Sequence, residues 1–133
     1  AESAKALAIE PIAARALRIE ENARTLGVPE LRLLMDTAPA CLVGLDAPDA
    51  VFIGGGLSED GLIAAAWIAL KFKGSIVANA VTLEGERVLN VAHRTYGGAL
   101  ERISVEQAVP VGQFHGWRPS MTVTQWHATK DEL

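Results

Sequence analysis

The residues best suited to chemistry in this chain stand at the ends of short apolar runs. Glu10 closes Ala6-Leu7-Ala8-Ile9, and Asp36-Thr37-Ala38 follow Leu31 to Met35. Gly54-Gly55-Gly56 follow Ala50-Val51-Phe52-Ile53, while Asn79, Thr82 and Glu84 follow Ser75-Ile76-Val77-Ala78. In an open α/β sheet a ligand binds beyond the carboxyl ends of the strands, where loops leave to opposite faces and open a crevice. An acid at such an end can accept both ribose hydroxyls of an adenosine-bearing cofactor, and Glu10 suits that role. It equally suits an exposed acid favouring the macrodipole at the start of the next helix. Three consecutive glycines let backbone approach a ligand closely, or supply a loop with the positive φ it needs. They do not form G-x-G-x-x-G.

Other reactive side chains carry less. His93 falls in a helical stretch and His127 in a strand-like one, without a second His or a carboxylate at metal-ligand spacing, so no metal is expected. Cys41 has no His partner that the sequence identifies as a base, and no catalytic residue is assigned. His115, Trp117 and Arg118 lie between the last two apolar runs. A stacking ring and a guanidinium there suit a flat, carboxylate-bearing ligand, and equally a loop anchored by a buried Trp.

The elements that must hold these groups alternate between strand-like runs and helix-like stretches, the pattern of an α/β fold with a mostly parallel sheet. After Glu10-Pro11 a helix carries Ile12, Ala16, Ile19, Ala23 and Leu26 on one face, Arg15, Arg18, Glu21 and Arg24 on the other, and stops at Gly27. A short helix opens at Pro39 and closes near Gly44. Ser58 reads as the cap of a helix through Leu70 that is apolar around much of its circumference and should be well buried. A further helix carries Val88, Val91 and Ala92 and ends at Tyr96-Gly97-Gly98. Leu100 to Gln107 and Met121 to Thr129 read as two strands joined by a Gly/Pro/aromatic loop, 109 to 120, and should lie antiparallel at one end of the sheet.

At 133 residues one domain with one core is expected. Half the residues are hydrophobic and 21% are charged, a globular composition. Twelve basic against 16 acidic residues give a net charge of −4 without a Lys/Arg run, which argues against nucleic acid. A single cysteine excludes an intramolecular disulfide and fits a reducing cytoplasm. Ala1 to Glu10 do not pattern as a signal peptide and no apolar run is of bilayer-spanning length, so neither secretion nor membrane insertion is expected. Lys130-Asp131-Glu132-Leu133 spell an endoplasmic reticulum retention address, read here as coincidence on a loosely tied chain end.

Three stretches, A-P-D-A-V-F-I-G-G-G (47 to 56), V-A-N-A-V-T-L-E-G-E (77 to 86) and P-V-G-Q-F-H-G-W-R-P-S-M-T-V-T-Q-W (110 to 126), resemble the decarboxylating precorrin-6Y C(5,15)-methyltransferases of cobalamin biosynthesis. The likeness covers nearly the whole chain in order. N-A-V-T-L-E following a G-G-G strand end is its most specific part.

The resemblance implies a class I, Rossmann-like methyltransferase domain over 1–133, with S-adenosyl-L-methionine as methyl donor. Its substrate would be a precorrin, a tetrapyrrole acid methylated at carbon 15 and relieved of the ring C acetate carboxylate. Glu10, with Pro11 beside it, matches the ribose-binding acid; Thr37 and Ala38 match the adenine-side loop. Gly54, which also borders the cofactor, Gly55, Gly56, Asn79, Thr82 and Glu84 match the floor of the cleft, and Trp117 and Arg118 are candidates for the macrocycle. A homo-oligomer, fused to or paired with a second corrin methyltransferase, is the expected assembly. The family opens on a strand with a G-x-G-x-G loop that these residues lack. Expected readings are therefore an N-terminally incomplete domain or a remnant with a non-catalytic, interaction role; a methyltransferase for another small molecule is the remaining alternative. The sulfonium of the donor already activates the methyl group, so the protein must chiefly orient it and exclude water.

Overall fold

The computed structural model describes residues 4–131 and divides into two compact units, 1–45 and 46–133. In the first, strand β1 (Leu7–Ile9) is followed by helix α1 (Ala13–Thr25) and strand β2 (Arg32–Leu34), then a single 3-10 turn at Ala40–Leu42. β1 and β2 pair in parallel, Ile9 opposite Leu34, so both carboxyl ends lie at one end of the pair. α1 packs on β2 through a face on which Ala16 and Ala23 are buried. Its end is closed by Val28 N–H on the Ala23 carbonyl (2.8 Å) and Gly27 N–H on that of Arg24 (3.2 Å), the two bonds of a Schellman motif. Leu26, expected on the buried face, is instead exposed: it lies past the last helical residue, where the chain has left the 3.6-residue period. Ile12, at the N-cap, is exposed for the same reason.

The second unit is built on a four-stranded sheet of order β3-β4-β8-β5. Strand β3 (Ala50–Ile53) leads through helix α2 (Leu62–Ala69) to strand β4 (Ser75–Ala80), and helix α3 (Leu83–Tyr96) leads to strand β5 (Ala99–Ile103). Strands β6 (Glu106–Val111) and β7 (Phe114–Pro119) form a separate hairpin before strand β8 (Val123–Thr129) enters between β4 and β5. β3 and β4 are parallel, and β8 runs antiparallel to both its neighbours. The expected mostly parallel sheet is therefore mixed, and the antiparallel pair does sit at one end of it.

Alternation along β8 sorts its side chains. Thr124, Trp126 and Ala128 are buried, as are Ile76, Ala78 and Ala80 on β4, and α3 packs over this face. Trp126 is fully buried, and its indole N–H donates to the Gly97 carbonyl at 2.9 Å. Trp67 of α2 stacks on Tyr96 of α3 with centroids 4.6 Å apart, and both rings stand about 6 Å from that of Trp126 (6.2 and 6.1 Å). Offset and tilted aromatic pairs at such distances add to plain area burial.

Three expectations change here. α2 begins at Leu62, after a turn in which Glu59 N–H bonds the Gly56 carbonyl (2.9 Å), so Ser58 is not its cap. Its Leu62, Ile63 and Ala66 are buried while Ile68 is exposed, because a helix on one side of a sheet buries one face however apolar the other. The loop expected over 109 to 120 is a β-ribbon turned at Gly112-Gln113, with Val111 opposite Phe114; Pro110 and Gly116 interrupt the composition but not the period of 2.

Lys130 is not a loose tail residue. Its ammonium donates to the carbonyls of Trp67 (2.8 Å), Ile68 (3.2 Å) and Leu70 (2.8 Å) at the end of α2. Its backbone N–H bonds the Gly74 carbonyl (2.9 Å), and its own carbonyl accepts from Lys73 (2.7 Å). A cation there satisfies orphan carbonyls and complements the negative end of the helix. Glu132 and Leu133 lie outside the described residues. Lys130→Met should destabilise the protein by about 1 to 2 kcal/mol through loss of these charge-assisted bonds. Urea unfolding of the variant will measure it, and an unchanged midpoint would show the cap to be energetically idle.

Candidate functional site

In the first unit the strand ends carry two groups side by side. Glu10 N–H donates to the Leu34 carbonyl at 3.1 Å, continuing the β1–β2 ladder by one residue. The carboxylate Oε1 of Glu10 accepts the Ile12 N–H at 3.0 Å, ahead of α1. Among the described residues Oε2 takes no hydrogen bond, so the carboxylate both serves the helix start and keeps acceptor capacity for a diol. Pro11 follows it, exposed.

Beyond β2, Asp36 Oδ1 accepts the Thr37 N–H at 2.7 Å, and the Thr37 carbonyl accepts from Cys41 at 3.2 Å. Thr37 and Ala38 are thus held in a bonded turn at the same end of the strand pair as Glu10. Burial, with the Asp36 charge adding to it, pushes the Cys41 thiol up. The thiol form is not a nucleophile.

In the second unit the pair Ile53 and Ala78 places Gly54 and Asn79 side by side, one residue further along the parallel strands β3 and β4. Gly56 has φ of +78°, a conformation an L side chain resists, whereas Gly55 stands in open space. A side chain at Gly54 would meet the Phe52 ring at 2.9 Å. The glycine run therefore combines a positive-φ turn with open backbone. Asn79 Oδ1 accepts from Gln125 Nε2 of β8 at 2.9 Å.

Thr82 caps α3, its Oγ1 accepting the Gly85 N–H at 3.0 Å. Glu84 is exposed in the first helical turn. Gly85 allows that turn to lie on the end of β4, since a Cβ there would fall 2.9 Å from that of Ala80. Glu86 then ties the turn to two strands: Oε1 accepts from Arg102 Nη2 at 2.5 Å and Oε2 from Thr124 Oγ1 at 2.8 Å. Arg102 and Thr124 are themselves cross-strand partners. The bonds from Arg102 and then Thr124 hold the Glu86 carboxyl below its ordinary range.

Trp117 and Arg118 lie on β7, opposite Ala108 and Gln107. Trp117 is 73% exposed and is not a buried anchor. As successive strand residues the two side chains point to opposite faces of the ribbon, so one flat ligand lying on one face meets only one of them. His115, two residues earlier, shares the face of Trp117.

Gln125, Glu86, Arg102 and Thr124 were not singled out in the sequence. The buried Thr124 and Trp126 on either side of Gln125 hold the one available signal, a period of 2 placing Gln125 on the other face. The Glu86 links depend on pairing 16 and 38 residues distant. Among the described residues no group of three His, Cys, Asp or Glu could hold a metal ion, and no helix is long and apolar enough to cross a membrane.

The model of the precorrin methyltransferase domain matches residues 1–130. The chain belongs to that family. The decarboxylating precorrin-6Y C(5,15)-methyltransferase of Sinorhizobium sp is 52% identical over 126 residues, which are 95% of this chain and 30% of that protein. That of Mycobacterium tuberculosis is 39% identical over 94% of this chain and 32% of its own length. The chain thus spans under a third of these curated relatives. The solved C-terminal domain of precorrin-6Y C5,15-methyltransferase from Rhodobacter capsulatus superposes with a TM-score of 0.84 at 44% identity, over 94% of this chain and 68% of that one. Its fold is the α/β, Rossmann-like methyltransferase fold.

Glu86 gives this family member a testable acid response. A carboxyl held below its unfolded value near 4.5 contributes stability that is full above that pH and is lost as pH falls through the lower native value. Glu86→Gln should therefore be less stable than the parent at neutral pH, with the gap closing below about pH 4.5. Unfolding midpoints across that range measure the gap, and a constant difference would contradict the assignment.

Proposed function

We propose that this domain takes part in S-adenosylmethionine-dependent methylation at carbon 15 of a precorrin, with loss of the ring C acetate carboxylate as carbon dioxide. One observation carries the reading: in a member of the precorrin methyltransferase domain family, Glu10 and the Thr37-Ala38 turn stand together at the carboxyl end of β1 and β2. The open Oε2 of Glu10 fits a ribose diol, and the bonded turn after Asp36 fits the edge of an adenine. S-adenosylmethionine, when bound, supplies a methyl group already activated by its sulfonium.

The residues of this chain bind and orient. Glu10 holds the ribose with Pro11 fixing the chain beside it, Thr37 and Ala38 border the base, and Gly54 gives backbone access. Gly55, Gly56, Asn79, Thr82 and Glu84 form the substrate side. Thr82 acts there chiefly through the start of α3, since its hydroxyl oxygen is already engaged as a cap. Trp117 offers a stacking face to the macrocycle, and Arg118, on the opposite face of the ribbon, is a cation only for a peripheral carboxylate that reaches past the ribbon's edge. A homo-oligomer belongs to the same reading, because it would cover the exposed Val111 and Phe114 of the hairpin. The domain 1–133 would act in the cytoplasm, beside or fused to a second corrin methyltransferase.

Glu10→Ala should weaken S-adenosylmethionine binding by about 1 to 3 kcal/mol, the range for a lost charged hydrogen-bond partner. Calorimetry reads this directly, and unchanged affinity would remove Glu10 from the cofactor site. Precorrin-6Y titrated into the protein should shift its visible absorbance, and with S-adenosylmethionine should release carbon dioxide. Neither effect with any precorrin acid would remove corrin chemistry as the function and leave the fold standing.

A further inference from the structure

An amide side chain presents an acceptor and a pair of donors of nearly the same shape, so its partners decide which end faces a ligand. Asn79 lies on the side of β4 away from α3, between the buried Ala78 and Ala80. Its cross-strand partner is Gln125, whose Nε2 donates to Asn79 Oδ1 at 2.9 Å. That bond turns the oxygen of Asn79 toward β8 and leaves its NH2 directed away, toward the β3 side. There the neighbour is Gly54, whose lack of a side chain lets the Phe52 ring lie beside it, 2.9 Å from where a Cβ would stand. The backbone at Gln125 is itself fixed, because Thr124 and Trp126 on either side of it are buried in the opposite face of β8.

We propose that Gln125 is a positioning residue that holds Asn79 as a hydrogen-bond donor toward a carboxylate of the tetrapyrrole acid. The inference rests on the reading of Asn79 as a substrate-side residue, and it adds a role for β8 that the strand-end groups do not contain. A donor aimed at an anion forms a charge-assisted bond, whereas a flipped Asn79 would present its oxygen and repel it.

The test is a titration of precorrin-6Y followed by visible absorbance, with circular dichroism melting curves as the check on folding. Asn79→Ala should raise Kd roughly tenfold or more, the effect of losing one hydrogen bond to a charged group. Gln125→Glu has only acceptors, so it should draw the Asn79 NH2 toward itself and raise Kd by a similar factor. The double variant should bind no more weakly than Asn79→Ala alone. An equal loss from Gln125→Glu with and without Asn79 would be charge repulsion and would overturn the proposal. So would parental affinity in Gln125→Glu beside a weakened Asn79→Ala. Parental affinity in Asn79→Ala would overturn the substrate role of Asn79 and the inference with it, and no spectral change in the unaltered protein would overturn the tetrapyrrole reading itself. Gln125→Met removes the donor without adding charge and should give a smaller loss. If Gln125→Glu does not fold, parental affinity in the Met variant overturns the proposal.

Discussion

The second unit depends on the burial of one indole. Trp126 fills the centre of the helix-facing side of β8, where Trp67 from α2 and Tyr96 from α3 converge on it, and its N–H satisfies the Gly97 carbonyl as α3 ends. A large ring of this kind buries enough area to dominate a small core, and a buried indole donor left without an acceptor is costly. Both conditions are met at once because α3 ends where β8 passes. With that end fixed, the length of α3 sets where its other end must lie.

That other end carries the candidate residues Thr82 and Glu84. Thr82 caps it, Gly85 lets it lie on β4, and Glu86 bonds Arg102 of β5 and Thr124 of β8. α3 is thus held at both ends by the same strand, through Trp126 at one and Thr124 at the other. The alternation that sends Thr124 and Trp126 inward sends Gln125 outward to meet Asn79. One strand therefore closes the core on one face and orders a candidate ligand-facing amide on the other. Lys130, the residue after β8, caps α2.

The strand ends that carry the candidate groups were legible because strand ends in α/β proteins are marked by composition. Glu10, Asp36, Gly54 and Asn79 each end or nearly end an apolar run, and the two parallel pairings put their strand ends where that pattern requires. The helix stop at Gly27 and the pair of final strands were legible for similar local reasons. The hairpin was not, since Pro110 and Gly116 disguise its alternation, and Trp117 with Arg118 read as one binding surface until the strand period set them on opposite faces.

Sequence by itself determined the α/β class, the positions of the strand-end groups and the resemblance to precorrin methyltransferases, because these reside in local periodicity and contiguous motifs. Tertiary structure decided what each group can offer. It gave Glu10 a hydrogen bond on one oxygen and, among the described residues, none on the other, engaged Thr82 as a cap, and set Gln125 against Asn79. It also joined Glu86 to residues 16 and 38 positions away and turned a terminal lysine into a helix cap. The bonds of Gln125, Glu86 and Lys130 require segments remote in sequence to meet at a fixed register, and register is set by which side chains the whole sheet can bury, not by the residues that meet.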